Sequence, residues 1–165
     1  MKILVSSCLL GEDVRYDGGN SSVPYNPSFP FSLKELFMDI LCTNEIYSFC
    51  PEVKGGLPTP RDSAEIISTE KPFIVKTIED DDVTISFLIG AKKALDLCKE
   101  EEITVALLKS KSPSCGNIEI YDGTFTDKLV KGQGLTARLL SENGITIFNE
   151  NQLEELNKFI KTTKK

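Results

Sequence analysis

The sequence predicts an α/β fold: a Rossmann-like, mostly parallel sheet with helices on both faces, formed as one domain over residues 1–165. Three observations predict it. Short β-rich runs alternate with segments of helical spacing along the whole chain. The strongest of these runs, ITVALLK at 103–109, is β-branched and apolar, as a buried parallel strand requires. Loops dense in Gly, Pro and Ser follow several of the strands, where α/β proteins place ligands.

Taken in order, residues 2–7, KILVSS, read as a short buried strand. The segment CLLGEDVRYDGGNSSVPYNPSFPF is a long loop, and long loops in compact domains are often functional. SLKELFMDILCT at 32–43 sets Leu33, Leu36, Phe37, Ile40 and Leu41 at helical spacing, with Ser32 the expected N-cap. EIYSF at 45–49 is a second strand and runs into CPEVKGGLPTPRDSAEI. PFIVKTI at 72–78 is a further strand candidate. A helix over about 83–100 puts Phe87, Ala91, Ala94, Leu95 and Cys98 on one face. IEIYDG reads as a short strand and turn. GLTARLLSENG at 134–144 is a helix ended by Gly144. ITIF at 145–148 is a strand, NQLEELNKFIK is a last helix with Leu153, Leu156, Phe159 and Ile160 inward, and the end, KTTKK, is expected to fray.

A hydrophobic fraction of 40% is enough for a core, and the formal net charge of -6 argues against a nucleic-acid polymer as partner. No apolar run reaches the ~20 residues that span a membrane, and MKILVSSCLLG is too short for a signal peptide. The expected setting is the cytoplasm, as a monomer or homodimer.

The chain has five cysteines and no histidine. Catalytic triads with histidine, Cys/His dyads and mixed Cys/His metal sites are therefore excluded. No CxxC pair is present. Cys8, Cys50 and Cys115 each follow a strand, so three parallel strands would deliver them to one edge of the sheet. Each is followed by residues that shape the backbone: Leu9-Leu10-Gly11, Pro51-Glu52 and Gly116. Cys98 and Cys42 lie on or beside apolar helix stripes and read as small buried hydrophobes. Soft thiolates select Fe–S clusters, zinc or copper(I). A structural zinc wants four ligands, whereas an Fe–S cluster on three cysteines leaves one iron open; the plain alternative is three unconnected loop cysteines.

VSSCLLGEDVRYDGG, CPEVKGGLPTPRDSAEI, LKSKSPSCG and IYDGTF, followed by GLTARLL, resemble the successive motifs of the bacterial DUF523 family, over roughly residues 2–150 and in the same order. Members of that family include thiouracil desulfurases. The resemblance implies a [4Fe-4S] cluster on Cys8, Cys50 and Cys115 and non-redox removal of sulfur from a small thiolated substrate, a nucleobase such as 2-thiouracil. The open iron then accepts the sulfur while water replaces it on the base.

Such chemistry needs an acid–base group near the cysteines. Glu52, two residues from Cys50, is the first candidate, and Asp17 in RYDGG the second. Ser112, three residues before Cys115, is expected to hydrogen-bond substrate or water. Arg61 and Lys109 are expected to offset cluster charge or hold an anion or carbonyl, with a salt bridge from Arg61 to Glu65 as the structural alternative. Gly55 and Gly56 are expected to let backbone approach the substrate, and Tyr16 and Tyr25 are weaker candidates for stacking on a base. Two other classes of function stay open: a non-catalytic metal- or sulfide-binding module, and a metal-free thiol enzyme with Cys115 as nucleophile and Lys109 or Glu52 as base.

Overall fold

The computed structural model describes residues 1–163. Its elements are β1 (Lys2–Ser6), α1 (Phe31–Thr43), β2 (Glu45–Phe49), α2 (Pro51–Lys54), β3 (Ala64–Ser68), β4 (Ile74–Thr77), α3 (Thr84–Glu100), β5 (Val105–Leu108), β6 (Glu119–Tyr121), β7 (Leu129–Lys131), α4 (Leu135–Glu142), β8 (Thr146–Asn149) and α5 (Leu153–Thr163). A four-stranded parallel sheet in the order β2-β1-β5-β8 forms the centre. β1 and β5 are its inner strands, and all four residues of β5 are buried.

Side chains alternate across a strand, so each inner strand feeds two cores. Ile3, Val5, Val105 and Leu107 point to one face and meet Phe37 and Ile40 of α1 and Leu153, Leu156 and Ile160 of α5. Leu4, Ala106 and Leu108 point to the other and meet Ala94, Leu95 and Cys98 of α3 and Ala137 and Leu140 of α4. Helices thus cover both faces, as the alternation of elements predicts. Each fully buried Leu or Ile here contributes about 1.5–3 kcal/mol.

Two antiparallel hairpins, β3–β4 and β6–β7, stand outside this sheet. They share a third core in which Ile66, Val75 and Ile120 pack with Phe87 of α3 and Leu135 of α4. β3 and β7 have no counterpart in the sequence analysis, which reads residues up to Ile66 as part of a Gly- and Pro-dense segment.

Other details differ from expectation for physical reasons. Pro30, not Ser32, caps α1: its carbonyl accepts the Leu33 and Lys34 N–H groups, and no side chain caps this end. Cys42 is exposed. At 100° per residue it lies well round the helix from the buried pair Phe37 and Ile40. Cys98 is buried, as expected. Gly144, at φ 83°, follows the C-cap Asn143 of α4. Lys161–Thr163 continue α5 where fraying was expected; residues 164 and 165 of that segment lie outside the described residues.

Candidate active site

The strand order explains the site. β2, β1 and β5 lie side by side; β2 and β1 each release one cysteine just past the carboxyl end, and β5 releases one at the end of the loop that follows it. Cys8 sits in a 3-10 turn, Ser7–Leu10, directly after β1. Cys50 is the N-cap residue of α2. Cys115 ends the loop SKSPSC that leaves β5. All three line one cavity of about 470 Å³, together with Glu52, Arg61, Lys109 and Ser112.

Each loop is held by named contacts. The first N–H groups of a helix lack intrahelical acceptors. In α4 they find them in the Cys115 loop: Leu135 donates to the Pro113 carbonyl, and Thr136 and Ala137 both donate to that of Ser114, at 2.9–3.1 Å. Gly134 donates to the Gly116 carbonyl at 2.8 Å. A Cβ at Gly134 would stand 2.4 Å from the Ser114 carbonyl carbon, so only glycine lets the helix come this close. Ser112 Oγ accepts from the N–H groups of Ser114 and Cys115 at 3.1 and 3.2 Å. Ser6 Oγ accepts from the Lys109 N–H at 3.0 Å and donates to Cys115 Sγ at 3.5 Å.

Glu52 is clamped on both oxygens. Arg61 donates to its Oε2 from Nε at 2.9 Å and from Nη2 at 2.6 Å, and Ser114 Oγ donates to its Oε1 at 2.8 Å. The partner of Arg61 is therefore Glu52 and not Glu65, whose Oε2 accepts the Gly123 and Phe125 N–H groups. The remaining Arg61 contacts go to Pro58 O, Thr59 Oγ1 and Val14 O, so its donors are already committed within the protein. Lys109 is likewise committed, to Glu150 Oε1 at 2.5 Å and to the carbonyl and hydroxyl oxygens of Ser110.

The remaining predicted residues stand elsewhere. Asp17 is exposed, accepts the Gly19 N–H within its own turn and is not part of the cavity wall. Gly55 and Gly56 are also absent from that wall. Gly55 serves close packing: a Cβ there would lie 2.0 Å from Ser86 O of α3, and one at Gly90 would lie 2.0 Å from Pro51 O of α2. These two glycines let α2 lie on α3 and so place Glu52. Gly56 adopts φ 99° in the turn that follows. Tyr16 lines the cavity, whereas Tyr25 is 88% exposed and does not.

The sequence alone assigns no site role to Ser6, Ser114, Tyr121, Phe125 or Asp127, which line the cavity, or to Glu150, which holds Lys109. A Ser between strand and cysteine carries no periodic signal. The β6–β7 turn is legible in sequence as the strand-and-turn IEIYDG and within the motif IYDGTF, neither of which assigns Tyr121 or Phe125 a place at the site.

Burial raises every thiol of the set. Cys8 is pushed up to about 11 by burial, with Lys109 pulling the other way. Burial also raises Cys50, and Cys115 most of all. Nucleophilic cysteines instead sit where cations lower the thiol pKa, so this pocket does not suit a free thiolate attacking alone. It suits three sulfurs whose charge is balanced by bound metal. Among the described residues no three Cys, Asp or Glu side chains close on a single metal ion. The three cysteines share the wall of one cavity of about 470 Å³.

Fold and site together define the class: an α/β protein with a three-cysteine pocket at the carboxyl edge of its sheet. The 2-thiouracil desulfurase family profile matches residues 3–152, and the chain belongs to that family of enzymes. It is 36% identical over 160 residues to an uncharacterised Bacillus subtilis (strain 168) protein, YbbK, spanning 93% of this chain and 99% of that one. The solved structure of the [4Fe-4S]-dependent thiouracil desulfidase TudS (DUF523Vcz) is similar at 42% identity and a TM-score of 0.83, covering 98% of each chain. No helix among the described residues is long and apolar enough to cross a membrane.

Proposed function

We propose that this enzyme hydrolyses a small cyclic thioamide of the 2-thiouracil type, exchanging its sulfur for the oxygen of water and releasing sulfide. The observation that carries this reading is the convergence of Cys8, Cys50 and Cys115 on one cavity beside a doubly held carboxylate, Glu52. The donor set fits a [4Fe-4S] cluster: three soft sulfurs on three separate loops, in a cavity larger than one ion needs. When bound, such a cluster supplies an iron without a protein ligand, a soft Lewis acid matched to thiocarbonyl sulfur.

The protein's own groups supply the rest. Glu52 accepts a proton from a water held against the thiocarbonyl carbon, which makes that water a nucleophile at neutral pH. Arg61 and Ser114 fix the carboxylate so that it need not reorganise during the transfer. The same proton then moves from Glu52 to the departing sulfur or the ring nitrogen. Carbon and sulfur keep their oxidation states, so no electron donor is required. Ser112 uses its oxygen to accept two N–H groups, which leaves its O–H to donate to the substrate. Lys109 places one positive charge beside Cys8, anchored by Glu150.

Anaerobic purification with iron and sulfide assays, followed by turnover of 2-thiouracil to uracil, tests the reading. The expected result is about four irons per chain. Glu52→Gln should keep that iron and lose roughly 10²–10⁴-fold in kcat. Iron without turnover would leave a non-catalytic metal- or sulfide-binding module. No iron after anaerobic reconstitution would remove the reading altogether.

A further inference from the structure

The turn joining β6 to β7 is built into the wall of the cavity, and no part of the chemistry above uses it. Tyr121, Phe125 and Asp127 of this hairpin line the same space as the cysteines. Its backbone is held in an uncommon shape: Gly123, Phe125 and Asp127 all have left-handed φ, at 89°, 56° and 59°. For a bulky residue such as Phe this is a genuine outlier, and it persists only where the surroundings enforce it.

Here the enforcing group is Glu65 of β3, 8% exposed, whose Oε2 accepts the Gly123 N–H at 2.8 Å and the Phe125 N–H at 3.1 Å. The hairpin is also fixed to the Cys115 loop. Lys111 pairs with Ile120 in an isolated parallel bridge, and the Gly116 backbone packs against Glu119 O and Ile120 so closely that a Cβ would lie 2.9–3.0 Å from them. One rigid path thus runs from a cysteine to Phe125. Asp127, alone of the carboxylates on the cavity wall, makes no hydrogen bond or ion pair among the described residues.

We infer that this turn is the specificity element of the enzyme: Phe125 packs on the flat ring of the substrate and Asp127 accepts the N–H beside its thiocarbonyl, while Glu65 positions both. The chemistry of the wall selects a planar cyclic thioamide with a free N–H over an acyclic one. An aromatic ring gives apolar area to a π-face, and a free carboxylate is a strong acceptor for an amide donor. This inference rests on the desulfurase reading and concerns only how substrate is chosen.

The test compares Phe125→Ala and Asp127→Asn with wild type, all purified anaerobically, on 2-thiouracil, its N,N′-dimethyl derivative and thiourea. Iron content and circular dichroism should match wild type. Loss of ring packing should raise KM for 2-thiouracil roughly tenfold with kcat nearly unchanged, and leave thiourea within about twofold. The same shift should appear in calorimetric binding of uracil to the holoprotein, a readout free of turnover. Asp127→Asn should weaken 2-thiouracil about fivefold, a modest effect because the group is exposed, and leave the dimethyl compound unchanged. Glu65→Ala should reproduce the Phe125→Ala pattern, and Glu65→Gln, whose amide oxygen still accepts, should restore it. Wild-type turnover combined with unchanged KM in Phe125→Ala, or equal losses on 2-thiouracil and thiourea, overturns this inference alone. Iron-loaded wild type that turns over none of the three compounds overturns the desulfurase reading and this inference with it.

Discussion

Replacing Lys109 with Met tests the charge pair that closes the sheet edge beside the cysteines. Glu150 is 4% exposed and accepts three hydrogen bonds: from Lys109 Nζ at 2.5 Å, from the Ser110 N–H at 2.8 Å and from Ser110 Oγ at 2.7 Å. Burial alone would raise its pKa, but the Lys109 charge and these hydrogen bonds outweigh it and hold the carboxyl below its usual range. Removing one partner of a buried pair costs about 3–5 kcal/mol. Two donors from Ser110 survive, and the Lys109 side chain is 23% exposed, so the expected loss falls to about 2–3 kcal/mol. For a chain of this size that lowers Tm by roughly 5–10 °C.

The pH dependence follows from the depressed carboxyl. Wild-type Glu150 contributes stability above its unfolded pKa of about 4.3 and loses it as pH falls through the lower folded value. In Lys109→Met the unpaired carboxylate protonates more readily when folded, so the variant loses less as acid is added. The gap between the two proteins should therefore be widest near pH 7 and narrow toward pH 4. Differential scanning fluorimetry at several pH values, with urea titration at the extremes, reads it. Equal Tm at pH 7, or a gap that stays constant into acid, would refute the reasoning.

Further outcomes follow from particular contacts. Gly90→Ala forces a methyl to within 2.0 Å of Pro51 O, so α2 must move. We expect a loss of about 1–3 kcal/mol in urea titration and a fall in kcat out of proportion to it, because Glu52 shifts; full activity would show that α2 tolerates displacement. Gly144→Ala meets nothing within 4 Å and tests φ alone, at about 1 kcal/mol by thermal melting. In a timed alkylation read by mass spectrometry, exposed Cys42 should label first. Cys98, buried and raised to about 11, should stay unlabelled until the protein unfolds; comparable rates would contradict the burial. Cys42→Ser should change stability by less than about 0.5 kcal/mol.

The sheet was legible in sequence because its inner strands obey one rule. VALL at 105–108 is apolar at every position, and only a strand covered on both faces has that use for it. The cysteines are legible for a related reason, since Cys8 and Cys50 stand just beyond strands and Cys115 ends the loop that leaves β5. What escaped was everything set by close approach or by a single polar bond. Gly55, a substrate contact by its sequence, meets instead the backbone of a helix. Arg61 was expected to hold an anion or pair with Glu65, yet it clamps Glu52 across nine residues. β7, only three residues with two exposed, has neither the length nor the alternation that marks a strand, so the hairpin wall stayed hidden. Cys42 was misplaced because a residue beside an apolar stripe can face either way.

The adjacency of β2, β1 and β5 has a thermodynamic meaning of its own. The three sulfurs lie in distant parts of the sequence, with no paired motif that could chelate a metal locally. An unfolded or partly synthesised chain therefore offers no local chelating motif, and the three cysteines meet only once β5 has paired beside β1. A metal centre held by these cysteines, as proposed above, would bind the native state alone, and its affinity would appear as folding stability, about 2.7 kcal/mol at a hundredfold excess over Kd. On that proposal, iron loading would report whether the sheet has closed.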